Sequence, residues 1–485
     1  MSAEVEQKKH KKPSFAGALF VILFLCVALV VQVFVLDRPW DTHITLILSS
    51  VVAIIVAMTA GYTYKECQDA ILYGCQLAML PMLILMMVGV LVGSWIPGGV
   101  IPALIYYGMQ ILSPGIFLAT VCLICAIASV MTGSSWTTGA TFGVAFMGIG
   151  MGLGIPAAMT AGAVISGAIF GDKMSPLSDS TNLGAAVGEA DLFDHIKSMM
   201  YTTIPALVIA LIIYAIMGLQ FAEGTIDQSQ VNEVLNALSA GFHISPIYFI
   251  PPILVVVLAV KRVSGLAVMI IASILGMIFA MLFQGYGLGE MIGFMNNGYV
   301  SDTGVESVDA LLTRGGLQGM MWTISLGFVA LSFGGILEKT KMLNVLLGSM
   351  GALLRKTGGL VTTHVISAII INLATASQYM AIIIPGRMYR PAYKKLGLLP
   401  QVLSRTSEDA GTVFSPLVPW GLCGVFFYGC LGVPTLEYAP YTFLSFLVPI
   451  IAVIYAWVGF AMFKEGDIKS VSQYKEDDEA DDLVL

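Results

Sequence analysis

The chain predicts an all-α polytopic membrane protein built from inverted repeats, with re-entrant hairpins and discontinuous helices. Three observations carry that prediction. The composition is 57% hydrophobic and 11% charged, less than half the charge of an ordinary soluble domain, at about 25%. From Ala70 to Gly171 there is no Asp, Glu, Lys, Arg or His at all, so what surrounds that part of the chain is mostly not water. Finally, three short polar motifs recur in one order at an offset of about 240 residues, which is how transporters reveal internal symmetry.

The elements follow in chain order. Residues 1–14 form a cytoplasmic segment with Lys8, Lys9, Lys11 and Lys12. Residues 15–69 hold the amino-terminal transmembrane helices, from apolar windows at 15–36 and 43–62, each long enough to cross a hydrocarbon core of roughly 30 Å. The first window outruns a signal peptide's apolar core and meets no clear cleavage site, so it reads as a retained helix. Residues 70–195 form the first repeat and 196–312 the connecting helices. Residues 313–430 form the second repeat, 431–464 the carboxyl-terminal helix and 465–485 an acidic, solvated cytoplasmic tail. The alternation that a β-barrel requires is absent. The cysteines sit in apolar windows without paired spacings, and nothing in the charge pattern supports nucleic-acid binding.

The repeats are read from GVLVGSWIPGG at Gly89 against LGFVALSFGGI at Leu326, TGSSWTT at Thr132 against TASQYMA at Thr375, and MSPLSDS at Met174 against FSPLVPW at Phe414. Each half then runs as a spanning helix, a surface helix (99–112, then 337–354), a polar-tipped hairpin and a helix broken at Ser-Pro. Lys and Arg mark the cytoplasmic side. Both termini, Lys65, Lys261, Arg262, Arg355 and 387–395 fall inside, whereas 37–43, 220–243 and 285–313 fall outside. The two halves therefore enter the membrane from opposite faces.

The polar motifs carry the chemistry. In GDKMSPLSDSTN, 171–182, Pro176 breaks a helix at bilayer depth, and hydrocarbon tolerates the released backbone groups only where protein or a wet cavity surrounds them. Released carbonyls and the oxygens of Ser175, Ser178, Ser180, Thr181 and Asn182 are candidate ion ligands, and the intramembrane carboxylates Asp172 and Asp179 mark function. Asp179 follows the break and is best placed to offer charge, with Asn182 and Ser135 completing a Na+ site; Asp172 precedes it and could pair with Lys173. In RTSEDAGTVFSPLVPW, 405–420, Arg405 can pair with Glu408 or Asp409 and leave the other as a proton-binding or ion-binding carboxylate. Thr412 and Ser415 are further candidates. The hairpin tips supply Ser134, Ser135 and Thr137 on one side and Ser377 and Gln378 on the other. His364 reads as a packing residue, and His195, beside Asp191, Asp194 and Lys197, as part of a solvated inside loop.

These motifs carry a family resemblance. GDKMSPLSDSTN and EDAGTVFSPLVPW resemble the paired signatures of the NhaC family of sodium/proton antiporters, and the likeness covers about 15–465. That resemblance implies a plasma-membrane secondary antiporter working by alternating access, with a scaffold domain, a mobile transport domain and a homodimeric assembly. It implies no cofactor: Na+ and H+ are the transported ions. Some NhaC-like members instead resemble exchangers of malate and lactate, which is the alternative reading. An intramembrane aspartyl protease is the rival from another class, but Phe170-Gly171-Asp172 lacks the Gly-x-Gly-Asp pattern of that family, and the chain reads as a transporter rather than an enzyme.

The charge asymmetry predicts that single cysteines placed at 387–395 are shielded from an impermeant thiol reagent in intact cells, whereas cysteines at 220–243 and 285–313 are modified. Labelling of the 387–395 loop from outside would remove the inverted topology.

Overall fold

The computed structural model describes residues 13–36, 42–221, 228–261, 263–348 and 356–464. Lys8, Lys9, Lys11, Lys12, Arg262, Arg355, most of 37–43, part of 220–243 and the 465–485 tail lie outside the described residues. Among those described the fold is helical, with two isolated β-bridges, Tyr299 with Arg314 and Leu398 with Lys464, and no strand. Among the described residues, seven helices are long and apolar enough to cross a membrane, or up to ten if each of three bent pairs counts as one span.

Helices α1 (Phe15–Val30) and α2 (Thr42–Thr59) precede the first set: α3 (Tyr64–Trp95), α4 (Val100–Ile111), α5 (Pro114–Thr132), α6 (Ser135–Thr138), α7 (Val144–Gly152), α8 (Ala157–Met174) and α9 (Asp179–Gly188). The connecting region holds α10 (Leu192–Leu219), α11 (Gln228–Gly241), α12 (Ile250–Val260), α13 (Gly265–Phe279), α14 (Leu288–Asn297) and α15 (Glu306–Leu312). A second set follows: α16 (Met321–Lys339), α17 (Met342–Gly348), α18 (Thr357–Thr375), α19 (Gln378–Lys395), α20 (Pro400–Phe414) and α21 (Leu422–Leu431). Helices α22 (Thr435–Tyr438) and α23 (Phe443–Val458) close the chain.

Local signals explain several boundaries. Helix α3 starts at Tyr64 rather than near residue 70, because Thr63 and Glu66 form a capping box: the Glu66 amide donates to Thr63 Oγ1 at 3.3 Å and the Thr63 amide to Glu66 Oε2 at 2.7 Å. The second surface helix begins later than the spacing suggests, since α16 runs to Lys339. The expected outside loops at 220–243 and 285–313 contain the short helices α11, α14 and α15. Outer faces stay apolar, as with Ile204, Val208, Ile212 and Ile216 on α10 and Ile270, Ile274 and Ile278 on α13, all exposed. Side chains of that kind at helical spacing suit lipid on the outside as well as protein within.

Helices α3 and α16 make a close seam. A Cβ on Gly74 would fall 2.0 Å from the Leu331 carbonyl oxygen, and one on Gly335 would fall 2.4 Å from that of Ala70. Partner numbers fall along α16 as they rise along α3, so the two helices run antiparallel. Within each set the helix before the hairpin and the one after it run parallel. Gly167 meets Cys122 and Gly171 meets Ala126 between α5 and α8; His364 meets Ser407 and Asn372 meets Gly411 between α18 and α20.

The seam predicts that Gly74→Ala forces two backbones apart, a cost of about 1–3 kcal/mol for overpacking. Gly289→Ala, on α14 with nothing within 4 Å of the added carbon, serves as the neutral comparison. Thermal unfolding in detergent reads both; equal melting temperatures for Gly74→Ala and the unmodified protein would contradict the packing.

Candidate functional site

The two hairpin tips have one design. Helix α5 ends at Gly133 (φ 68°, ψ 21°) and α18 at Ala376 (φ 57°, ψ 17°), both left-handed. An extended serine follows each, and its hydroxyl accepts an amide of the next turn: Ser134 from Thr137 at 3.2 Å and Ser377 from Met380 at 3.5 Å. Ala376 adopts this conformation with a side chain, a local strain that glycine avoids in the first tip. Each tip leans on the break of its own set. The Leu422 amide donates to the Ala376 carbonyl at 2.8 Å, and Gly133 abuts Leu177.

The first break follows from Pro176, which lacks an amide hydrogen and drives the preceding residue out of the helical region. Ser175 is extended (φ −84°, ψ 130°), and the chain resumes as α9 with Ser178 as its amino-terminal cap. Four of the carbonyls at the break accept side-chain hydrogen bonds. Thr181 Oγ1 donates to the Asp172 and Lys173 carbonyls at 3.1 and 2.9 Å, and Asn182 Nδ2 donates to those of Pro176 and Ser178 at 3.0 and 2.8 Å. Ser175 Oγ donates to the Val130 carbonyl at 2.8 Å and ties the break to α5. Short polar side chains cap nearby carbonyls before any ligand is needed.

The buried charges pair differently from the sequence expectation. Lys173 does not pair with Asp172; it reaches across to α20 and bonds Asp409, both side chains fully buried. Thr202 on α10 donates to the same Asp409 oxygen at 2.9 Å, and Arg405 Nε lies 3.9 Å from the other. The Arg405 guanidinium also donates to the Ala461 carbonyl at 2.9 Å. Glu408 accepts from Thr412 through one oxygen, while its other, Oε1, has no protein partner. Asp172 accepts two serine hydroxyls, Ser135 on Oδ2 and Ser178 on Oδ1, each at 2.6 Å.

Two histidines complete the picture. His364 packs as expected, with Nδ1 at 3.2 Å from the Tyr393 hydroxyl and Nε2 at 3.2 Å from that of Ser407. His195 does not lie in a solvated loop. Asp191 caps α10 by accepting the Phe193 and Asp194 amides at 2.9 and 3.2 Å, which puts His195 on the helix's inner face with Met199, Thr202 and Ala206, at 0% exposure. Its charged sequence neighbours suggested a loop; the capping aspartate and the 3.6-residue period were the signals that could have placed it.

A cleft of about 630 Å3 opens at the first break. Ser134 and Thr137 from the first tip, Asp172, Asp179, Ser180 and Asn182 from the break, and Gln378 and Tyr379 from the second tip line it, with Pro81 and Ile84 of α3. Asp172 is 7% exposed, whereas Asp179 is open at the first turn of α9. Among the described residues no Lys or Arg lines this cleft. Ser135 and Ser178 reach it through Asp172, while Ser175 and Thr181 are engaged in closing the backbone. Ser377, Thr412 and Ser415 are buried near the second break and do not line it. Trp136 stacks on Phe426 of α21, ring centroids 4.9 Å apart, so the first tip is also held by the second set.

The sequence matches the Na+/H+ antiporter family over residues 11–180 and 167–460. The Na+/H+ antiporter NhaC of Alkalihalophilus pseudofirmus is 37% identical over 94% of this chain and 98% of its own length. The malate-2H+/Na+-lactate antiporter of Bacillus subtilis is 38% identical over 93% and 96%, and the arginine/ornithine antiporter ArcD of Halobacterium salinarum is 36% identical over 94% and 94%. Both breaks and both tips lie inside the matched residues, and on that full-length agreement the chain belongs to the Na+/H+ antiporter family.

Proposed function

We propose that the protein exports Na+ in exchange for H+ by alternating access, with the cleft at the first break as its cation site. The observation that carries this reading is the cleft's charge. Two carboxylates and a group of hydroxyl and amide oxygens face it, and among the described residues no cationic side chain does. Lys173, the nearest candidate in sequence, is held by Asp409 instead. Asp172, Asp179, Ser135 and Asn182 are the proposed Na+ ligands, with Ser134, Thr137, Ser178, Ser180 and Gln378 around them. A proton and a cation compete for the same carboxylate oxygens, and that competition couples their movements. Asp409 serves as the counter-charge that permits Lys173 to stay buried, and Glu408 as a further proton-binding carboxylate behind the cleft.

The unit that moves is proposed to be the hairpins with their broken helices, α5–α9 and α18–α21, working against a scaffold of the remaining helices. The membrane is the plasma membrane, with both termini in the cytoplasm. The second reading is exchange of small organic acids coupled to Na+ and H+. One observation favours it: the cleft is far larger than a bare ion needs, and Thr137 and Gln378 could hydrogen-bond a carboxylate.

Na+-driven proton flux in proteoliposomes separates these readings. Flux without any organic acid supports cation exchange; flux only with malate or lactate present transfers the function to the second reading. In the same assay Asp172→Asn, which keeps shape but loses a titratable group, is expected to abolish coupled flux. Asp179→Asn is expected to raise the Na+ concentration needed, because an exposed carboxylate is the more strongly screened of the two. A folded Asp172→Asn protein with normal coupled flux would falsify its assignment.

The protein is also proposed to assemble as a homodimer through the scaffold, since a moving unit should not be the fixed interface. Cysteines at Ser135 or Ser377 should therefore fail to cross-link between subunits. Their cross-linking with transport intact would place the interface on the wrong unit.

A further inference from the structure

Glu408 and His195 are both fully buried, on helices α20 and α10, and each has one polar atom without a protein partner: Glu408 Oε1 and His195 Nε2. Both atoms face one spot. A Cβ added to Gly184, on α9 between them, would meet Glu408 Cγ at 2.9 Å, Glu408 Oε1 at 3.1 Å and His195 Nε2 at 3.3 Å. Only a residue without a side chain fits here, and the two polar atoms converge beside it from separate helices. Buried polar atoms without partners are costly, roughly 1–3 kcal/mol each. Two of them aimed at one gap, with room left by a glycine, is the setting in which a water molecule bridges.

One arrangement of the surrounding bonds leaves a lone pair on Nε2. Ser404 Oγ donates to the Gln401 carbonyl at 3.3 Å and lies 2.7 Å from His195 Nδ1. With the serine hydrogen directed at the carbonyl, we assign the ring hydrogen to Nδ1, donating to Ser404, and a lone pair to Nε2, aimed at the gap. Glu408 Oε2 is meanwhile held by Thr412, so Oε1 is the oxygen free to exchange.

We infer that Glu408 and His195, bridged by a water at Gly184, form a proton-relay site distinct from the cation cleft, through which the exchanged proton passes between the cleft region and the cytoplasmic side. The proton leaves Glu408 Oε1 for the water, and the water gives one of its own to His195 Nε2. The products are a carboxylate and an imidazolium, and the pair's net charge is unchanged. His195 stands one turn inside the capping Asp191, at the end of the molecule where Arg390 pairs with Glu189; that is the cytoplasmic end in the proposed orientation. The inference rests on the Na+/H+ exchange reading and adds the proton's route to it.

The other charges near the pair are already matched. On α8, Lys173 bonds Asp409 and Asp172 holds two serines. On α20 itself, Arg405 faces Asp409 and the Ala461 carbonyl. From α18 and α19, His364 and Tyr393 bond each other, and Tyr455 of α23 interacts with Arg405. Helix α9 presents Gly184 and no titratable side chain at this point.

The test compares His195→Gln, Gly184→Ala and Glu408→Gln, each alone, with the His195→Gln/Glu408→Gln pair. Na+-driven proton flux is followed across pH, and Na+-dependent thermal stabilisation reports cation binding separately. His195→Gln keeps hydrogen-bonding atoms but cannot carry the proton, and Gly184→Ala fills the gap. Both should retain Na+ stabilisation and lose flux by about 100-fold, the low end of what a positioned proton-transfer group contributes. The dependence of rate on pH should flatten, and the paired variant should be no slower than the worse single one, because the two residues act in one path. Folded His195→Gln and Gly184→Ala proteins with the original rate and pH profile would overturn the relay, as would independent, multiplying losses in the pair. Failure of the cation-site reading looks different: Asp172→Asn would then keep its Na+ stabilisation.

Discussion

Lys173 and Asp409 are both withdrawn from water, one in the first helix set and one in the second, and Lys173 cannot remain charged there without Asp409, which also faces Arg405. Removing one partner from such a pair strands a charge, at a cost of about 3–5 kcal/mol. The bond pins α8 to α20 and thereby fixes the rotation of α8 about its axis. Adjacent helical residues point about 100° apart. With Lys173 turned toward α20, Asp172 is turned toward the tip of the first hairpin, where Ser135 and Ser178 meet it. The position of the cleft's buried carboxylate therefore follows from a bond that the cleft itself does not contain.

The break at Pro176 has a different consequence from the one its sequence suggests. A broken helix at bilayer depth invites the idea of carbonyl ligands, yet Thr181 and Asn182 reach back and close four of those carbonyls. The side-chain oxygens of the cleft are therefore the groups least committed to the backbone, and the proposed ligands are drawn from them. In the second set Asn372 plays the closing part, donating to the Ala410 and Gly411 carbonyls at 3.3 and 2.7 Å, and Thr412 turns back onto Glu408. The second break contributes buried polar groups near the cleft without opening onto it.

Much of this was legible in the sequence, for a physical reason: lipid forbids unpaired backbone and free charge, so each polar motif in an apolar chain marks an exception. Helical class, the polar tips at Ser134 and Ser377, and the break at Pro176 could be read directly; in the second set the chain continues as a 3-10 turn through Ser415–Leu417 and bends only after it, before Leu422. Pairing could not. Whether Lys173 meets Asp172 or Asp409 depends on which helix lies beside α8, a long-range fact with no local signature. His195 was misplaced because its neighbours Asp191, Asp194 and Lys197 dominate the local charge, although Asp191 was a capping residue and the apolar face behind it had helical period. The start of α3 was missed for a smaller reason: Thr63 and Glu66 make a capping box that charge counting overlooks.

The serines on Asp172 show how a site of side-chain oxygens can serve two ligands in turn. Each hydroxyl has one hydrogen to donate and lone pairs to offer. Toward an ionised Asp172 both hydroxyls donate, as their 2.6 Å contacts show, and their lone pairs then point away from the carboxylate. A cation arriving in the cleft meets those lone pairs together with the carboxylate's remaining acceptor capacity. A proton arriving on Asp172 instead makes the carboxyl a donor, and one serine turns its hydroxyl to accept. Both changes need only rotation of a hydroxyl, a soft torsion. Because Ser178 caps α9 and Ser135 lies in the first tip's helix, each ligand's arrival is felt at once by the break and by the hairpin. The carboxylate proposed to bind the ion is thus bonded directly to the two elements, break and hairpin, that the proposed exchange would move.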